Sequence, residues 1–185
     1  MAKTKITQVM MDDSTLNVNK EVDMVFSIAN TLRGPYKADK YKDIIIPMII
    51  IRRLECALAT KDASGKTRKQ KVTEAFKKNP QTPQQVLERL AGYPFYNTSD
   101  FDLAGLLDEA PAIVENFHFY LDSFSPNIKD MLITRLKFKE KITDLDKNNR
   151  LLGVVKKFSE LDLNPETIDG HKMGYMFEEI IRRFS

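Results

Sequence analysis

The chain has 185 residues, 42% of them hydrophobic and 30% charged, with a formal net charge of +3. That length holds one sizeable domain, and that balance excludes an intrinsically disordered chain. One cysteine, Cys56, excludes an intramolecular disulfide; it reads as a small core residue of a cytoplasmic protein.

Residues 1–18 carry no apolar core long enough for a signal peptide and read as a flexible arm. The first predicted helix follows. Val18, Val22, Val25, Phe26, Ala29 and Leu32 recur at helical spacing, and Gly34-Pro35 ends it: glycine supplies a left-handed cap and proline refuses continuation. Next comes KDIIIPMIIIRRLE, Lys42 to Glu55, apolar from Ile44 to Ile51 except for the interruption by Pro47. The run is far short of the ~20 residues that cross a bilayer. Its β-branched isoleucines allow two short buried strands around Pro47. Its flanks are helix-prone, however, and Tyr41, Ile44, Ile45, Met48, Ile51 and Leu54 form one stripe at helical spacing. The stripe predicts a central core helix from about Lys40 to Ala59, kinked at Pro47 at a cost of up to ~3 kcal/mol.

Further helices are predicted over Arg68–Lys78 and Pro83–Ala91. GYPFYNTSDF, residues 92–101, reads as a packed loop, because its four aromatic rings are too apolar to hang in water. Helices recur near Leu103–Leu107, Pro111–Asp122, Ile128–Lys137 and Asn149–Glu160, with residues 138–148 left unassigned. The last runs from Glu166 or later to Phe184 along Met173, Met176, Phe177, Ile180, Ile181 and Phe184. It stops without a capping Gly or Pro, which leads us to expect either that the natural chain continues or that this helix ends in solvent. The fold expected is all-α, a single bundle over 19–185 around a kinked central helix.

Charge is sorted along the chain. Seven basic residues fall between Lys61 and Lys78 against Asp62 and Glu74, six acids and no cation between Thr98 and Asp122, and seven basic residues between Lys137 and Lys157 against three acids. Such sorting either steers an anionic partner or marks ordinary solvated helix faces.

Motifs of catalysis fail. ASGKT (Ala63–Thr67) lacks the leading glycine of a phosphate-binding loop, since Thr60 stands there, and lacks the preceding strand. His118, flanked by Phe117 and Phe119, reads as packed, and His171 as lying near a helix start; neither has a ligand cluster around it. Glu178 and Glu179 are adjacent and point to different helix faces, so they cannot share a proton. No Gly-rich turn follows a strand, and no Asn/Asp-Pro-Pro-aromatic tetrapeptide occurs. These residues describe a helical interaction module with no catalytic, cofactor or metal site.

Four stretches in series carry a resemblance: LRGPYKADKYKDIIIPMIIIRRLE (Leu32–Glu55), PFYNTSDFDLAGLL (Pro94–Leu107), LLGVVKKFSELDLNPETID (Leu151–Asp169) and MGYMFEEIIRRFS (Met173–Ser185). In this order the chain, from about Asn19 to Ser185, resembles the N-terminal helical domain of the modification (M) subunit of type I restriction-modification systems. The resemblance implies a site-specific, adenine-N6 DNA methyltransferase whose S-adenosylmethionine pocket and catalytic motif lie in a separate domain following this one. The chain by itself is then expected to be inactive. The domain is implied to help clamp double-stranded DNA with the specificity subunit and a second M subunit, in a complex that also holds the restriction subunit.

The residues expected at phosphates are Lys66, Arg68, Lys69 and Lys71, then Lys37, Lys40 and Lys42, and Lys137, Lys139 and Lys141, acting by charge neutralisation alone. Arg52 and Arg53 are expected to pair with an acidic neighbouring helix, phosphate contact being the other reading. The rival function is a protein-docking domain that never touches DNA, using the acidic aromatic segment Tyr93–Asp122 or the final helix.

Overall fold

The computed structural model describes residues 19–184, so the expected arm over 1–18 lies outside the described residues. Those residues build helices joined by turns and three isolated bridges, with no strand among them. Helix α1 spans 19–29 and tightens into a 3-10 turn at Asn30–Leu32. Gly34 then takes φ +99°, the left-handed conformation a side chain resists, and the chain reverses before Pro35.

Helix α2, Lys42–Leu58, is continuous through the isoleucine run, so the strand alternative is excluded. Pro47 is inside it and buried, and cannot donate to the carbonyl of Asp43. Packing decides the balance. Ile44, Ile45, Met48, Ile49 and Ile51 are all buried. At ~1.5–3 kcal/mol for each such side chain, their burial outweighs the ~3 kcal/mol that an internal proline costs. Cys56 is buried there too, as expected of a core cysteine.

Helices α3 (Arg68–Lys78) and α4 (Gln84–Ala91) form a hairpin off the C-terminal end of α2. Thr67 caps α3 with a reciprocal box: its side chain accepts from the Gln70 N–H while the Gln70 side chain accepts from the Thr67 N–H. Leu58, Val72, Leu87, Ala91 and Tyr96 close a small second core beneath the hairpin. The aromatic loop that follows is packed as expected. The Thr98 N–H donates to the Ser123 carbonyl at 2.9 Å, the Ser125 N–H to the Tyr96 carbonyl at 3.0 Å, and the buried Asn97 amide to the Tyr120 carbonyl at 3.0 Å. Asn97 and Ser99 are therefore internal staples of the loop.

The main body holds α5 (Leu103–Leu106), α6 (Ile113–Asp122), α7 (Pro126–Lys129), α8 (Phe138–Lys147), α9 (Leu151–Ser159) and α10 (Gly170–Arg183). Helix α2 packs against α8, α9 and α10, and α6 against α8. One expectation needs correction, and one unassigned stretch gains a helix. The helix expected over Ile128–Lys137 is one α turn followed by a π-helical stretch, Asp130–Arg135, closed by the Leu136 N–H on the Met131 carbonyl at 2.9 Å. Beyond it, Lys137 reverses the chain at φ +50°, and the unassigned stretch becomes α8, with Phe138, Ile142 and Leu145 buried.

Candidate nucleic-acid interface

The arginines that close α2 are internal clips. Arg52 donates through Nε to the Leu161 carbonyl at 2.7 Å and through Nη1 to Glu55 Oε2 at 2.9 Å. Arg53 donates through Nη1 to the carbonyls of Leu163 (3.0 Å) and Ile168. Both therefore fasten the segment between α9 and α10. The acid that Arg52 meets is on its own helix rather than on the neighbouring helix the sequence suggested.

Glu55 is the centre of this polar layer. Its Oε1 accepts from the Leu103 N–H and from the Tyr120 hydroxyl at 2.7 Å. Its side chain is only 4% exposed, and burial pushes its carboxyl above the usual range despite three hydrogen-bonding partners. Charge at this point thus ties α2 to α5, to α6 and, through Arg52, to the segment after α9.

The basic segment at 66–71 divides by helix register. Arg68 and Lys69 stand one turn before the buried Val72 and Thr73, so they turn inward. Arg68 donates to Thr60 Oγ1 at 3.0 Å and to the Ala91 carbonyl at 3.1 Å, and its guanidinium lies 5.2 Å from the centre of the Tyr93 ring. Lys69 donates to the Phe101 carbonyl and lies 5.2 Å from the centre of the Tyr120 ring; burial lowers its pKa. Lys66 and Lys71 turn outward. Lys66 pairs with Glu74 at 2.9 Å, and Lys71 pairs with Asp62. The hydrogen bond from Lys71 holds the Asp62 carboxyl well below the usual carboxylate range.

The remaining candidates lie on another part of the surface. The Tyr36 hydroxyl donates to Asp144 Oδ2 at 2.6 Å, which lays the segment carrying Lys37, Lys40 and Lys42 along α8. Burial first, then the Asp144 contact, push that hydroxyl up to about 12. Lys37, Lys40 and Lys137 are exposed and Lys42 half-buried, and none has an ion-pair or side-chain hydrogen-bond partner among the described residues. Lys139 pairs with Asp122 at 2.8 Å, and Lys141 donates to the Leu136 carbonyl at 2.9 Å.

Concavities sort by charge. A cleft of about 280 Å³ between α2, α3 and Asp100–Asp102 sets Arg52 and Lys69 against Glu55, Asp100 and Asp102. One of about 510 Å³ beside α8 sets Arg135, Lys137 and Lys141 against Asp43, Glu140 and Asp144. A groove of about 290 Å³ under the hairpin holds Lys129 and Asp122. A groove of about 300 Å³ on the outer face of α3 holds Lys66, Lys71 and Lys78 against Glu74 alone.

The histidines serve structure or solvent. His118 Nε2 sits 3.1 Å from the Lys139 carbonyl, and His171 is exposed in the first turn of α10, where Asp169 caps the helix. Among the described residues no group of three His, Cys, Asp or Glu could hold a metal ion, and no helix is long and apolar enough to cross a membrane. The sequence reading missed Glu55 as the hub of the polar layer; its signal was a lone acid on the otherwise apolar and basic run Ile44–Leu58. It also passed over Lys78, whose spacing from Lys71 places both on one face of α3.

A family model described as the HsdM N-terminal domain matches residues 22–158. Neither the curated proteins nor the solved structures give a match.

Proposed function

Because the chain belongs to the HsdM N-terminal domain family, the N-terminal domain of the M subunit of type I restriction-modification systems, we propose that it is the non-catalytic, DNA-clamping domain of an adenine-N6 DNA methyltransferase. Methyl transfer from S-adenosylmethionine belongs, in this reading, to a domain other than this one. The domain works in the cytoplasm beside the specificity subunit, a second M subunit and the restriction subunit, and it meets duplex DNA through phosphates only.

One observation carries the DNA contact: Lys37, Lys40, Lys42 and Lys137 make no ion pair among the described residues, and the segment carrying the first three is tied to α8 through Tyr36 and Asp144. An unpaired ammonium is free to displace condensed counterions from a phosphate, and a lysine serves as a point charge with no base preference. Arg68 and Lys69 are assigned to the fold in this reading, because their donors are already used. A docking role is also supported. Phe119, within the acidic aromatic segment, is 56% exposed on α6 and is a side chain that a protein neighbour would cover.

The test is the salt dependence of duplex binding by the assembled methyltransferase. Replacing Lys37, Lys40 and Lys42 with alanine should make the slope of log K against log salt shallower by up to ~0.9 for each lost contact, on specific and non-specific duplexes alike. An unchanged slope would assign this face to protein docking alone.

A further inference from the structure

We propose that the outer groove of α3, formed by Lys66, Lys71 and Lys78, is a seat for a single backbone phosphate of the nucleic acid. This inference rests on the DNA-clamping reading and adds a second contact point to it, on the hairpin rather than beside α8.

Charge sets this groove apart from the other three concavities. Cations outnumber acids three to one along its walls, and three to two once Asp62, the partner of Lys71, is included, whereas the other three carry balanced or net negative walls. Its position follows from register. Lys71, Glu74 and Lys78 stand at i, i+3 and i+7 on one face of α3, and Lys66 reaches the same face from the preceding turn. That turn is internally braced: the Asp62 N–H donates to the Lys66 carbonyl at 3.2 Å, the Gly65 N–H to the Asp62 carbonyl at 3.1 Å, and Gly65 takes φ +80°. Ala75 and Leu90 add apolar surface to the groove.

The ammonium groups keep capacity for an anion. Each carries three donors. Lys66 uses one on Glu74 and Lys71 one on Asp62, while Lys78 has no ion pair among the described residues. The Lys66–Glu74 pair is more than half exposed at both ends, so it contributes little and yields readily to a phosphodiester oxygen. Ser64 also borders the groove, but its hydroxyl is already given to Asp62, which leaves the lysines as the donors. With lysines alone the seat neutralises charge and reads no base.

The experiment measures duplex binding by the assembled methyltransferase across salt, for the unsubstituted enzyme, Lys66→Ala/Lys78→Ala, Lys78→Ala, and Lys37→Ala/Lys40→Ala/Lys42→Ala. Lys66→Ala/Lys78→Ala should flatten the slope by up to ~0.9, the whole contribution of one phosphate, and Lys78→Ala by part of that, equally on duplexes with and without the recognition site. Lys78 has no ion pair among the described residues to lose, so the single variant keeps its fold and stands as the control for the double. An unchanged slope in both α3 variants, with flattening in the Lys37/Lys40/Lys42 variant, overturns the seat and leaves the clamp standing. No flattening in any variant overturns both. A salt-independent loss of subunit assembly in the α3 variants also overturns the seat, and shows an acidic protein surface to be its occupant.

Discussion

Glu55 shows how much one side chain organises here. It accepts from Arg52, Tyr120 and Leu103, and burial raises its carboxyl pKa above the unfolded value. A carboxyl with a raised folded pKa binds more protons folded than unfolded. Its contribution to stability is therefore largest below the ordinary carboxylate pKa and falls as pH rises through the folded one. Chemical denaturation from pH 4 upward should show that decline, and Glu55→Gln should remove it. Glu55→Ala strands Arg52 and the Tyr120 hydroxyl, and should cost ~3–5 kcal/mol in the same measurement. Lys69→Ala makes a sharper distinction. It leaves the Phe101 carbonyl without its donor, so we expect ~1–3 kcal/mol of lost stability and an unchanged DNA salt slope. Composition makes Arg68 and Lys69 look the same as Lys66 and Lys71. Only their register against Val72 and Thr73 tells the inward pair from the outward pair, and that register was available in the sequence.

Among the elements, α2 was legible because its apolar stripe repeats at helical spacing across Pro47, and burial of that stripe overrides both the proline and the β-branched side chains. Helix α8 was not read, because its apolar stripe is short, Phe138, Ile142 and Leu145, in a segment dense with charge. The π-helical stretch before it depends on a backbone register that periodicity does not encode. Helix α10 ends with Arg182 and Arg183 paired to Glu179 in its last turns. Helix α9 offers a clean test of local propensity. Gly153 is exposed within it, and a methyl group there would meet nothing within 4 Å. Gly153→Ala should raise stability by ~0.4–1 kcal/mol, read as a higher denaturation midpoint with an unchanged denaturant dependence. A loss of DNA-bound complex in that variant would mean a partner approaches α9 closely.

At the scale of the whole molecule, an apolar bundle built on α2 carries a smaller hairpin, and outward lysines lie on both parts. The all-α architecture and the family were readable because they rest on long stretches with a fixed order. Which lysines face solvent was less readable, because it depends on where Tyr36 meets Asp144 and where Arg68 meets Tyr93, contacts made between segments far apart in the chain. The central claim is that this domain touches the DNA backbone itself. It is tested most directly by the salt slope of duplex binding when Lys37, Lys40, Lys42, Lys66 and Lys78 are all replaced by alanine in the assembled methyltransferase. The account predicts a slope shallower by up to ~3.6 units, with discrimination between specific and non-specific duplexes intact. A slope identical to that of the unsubstituted enzyme would contradict it.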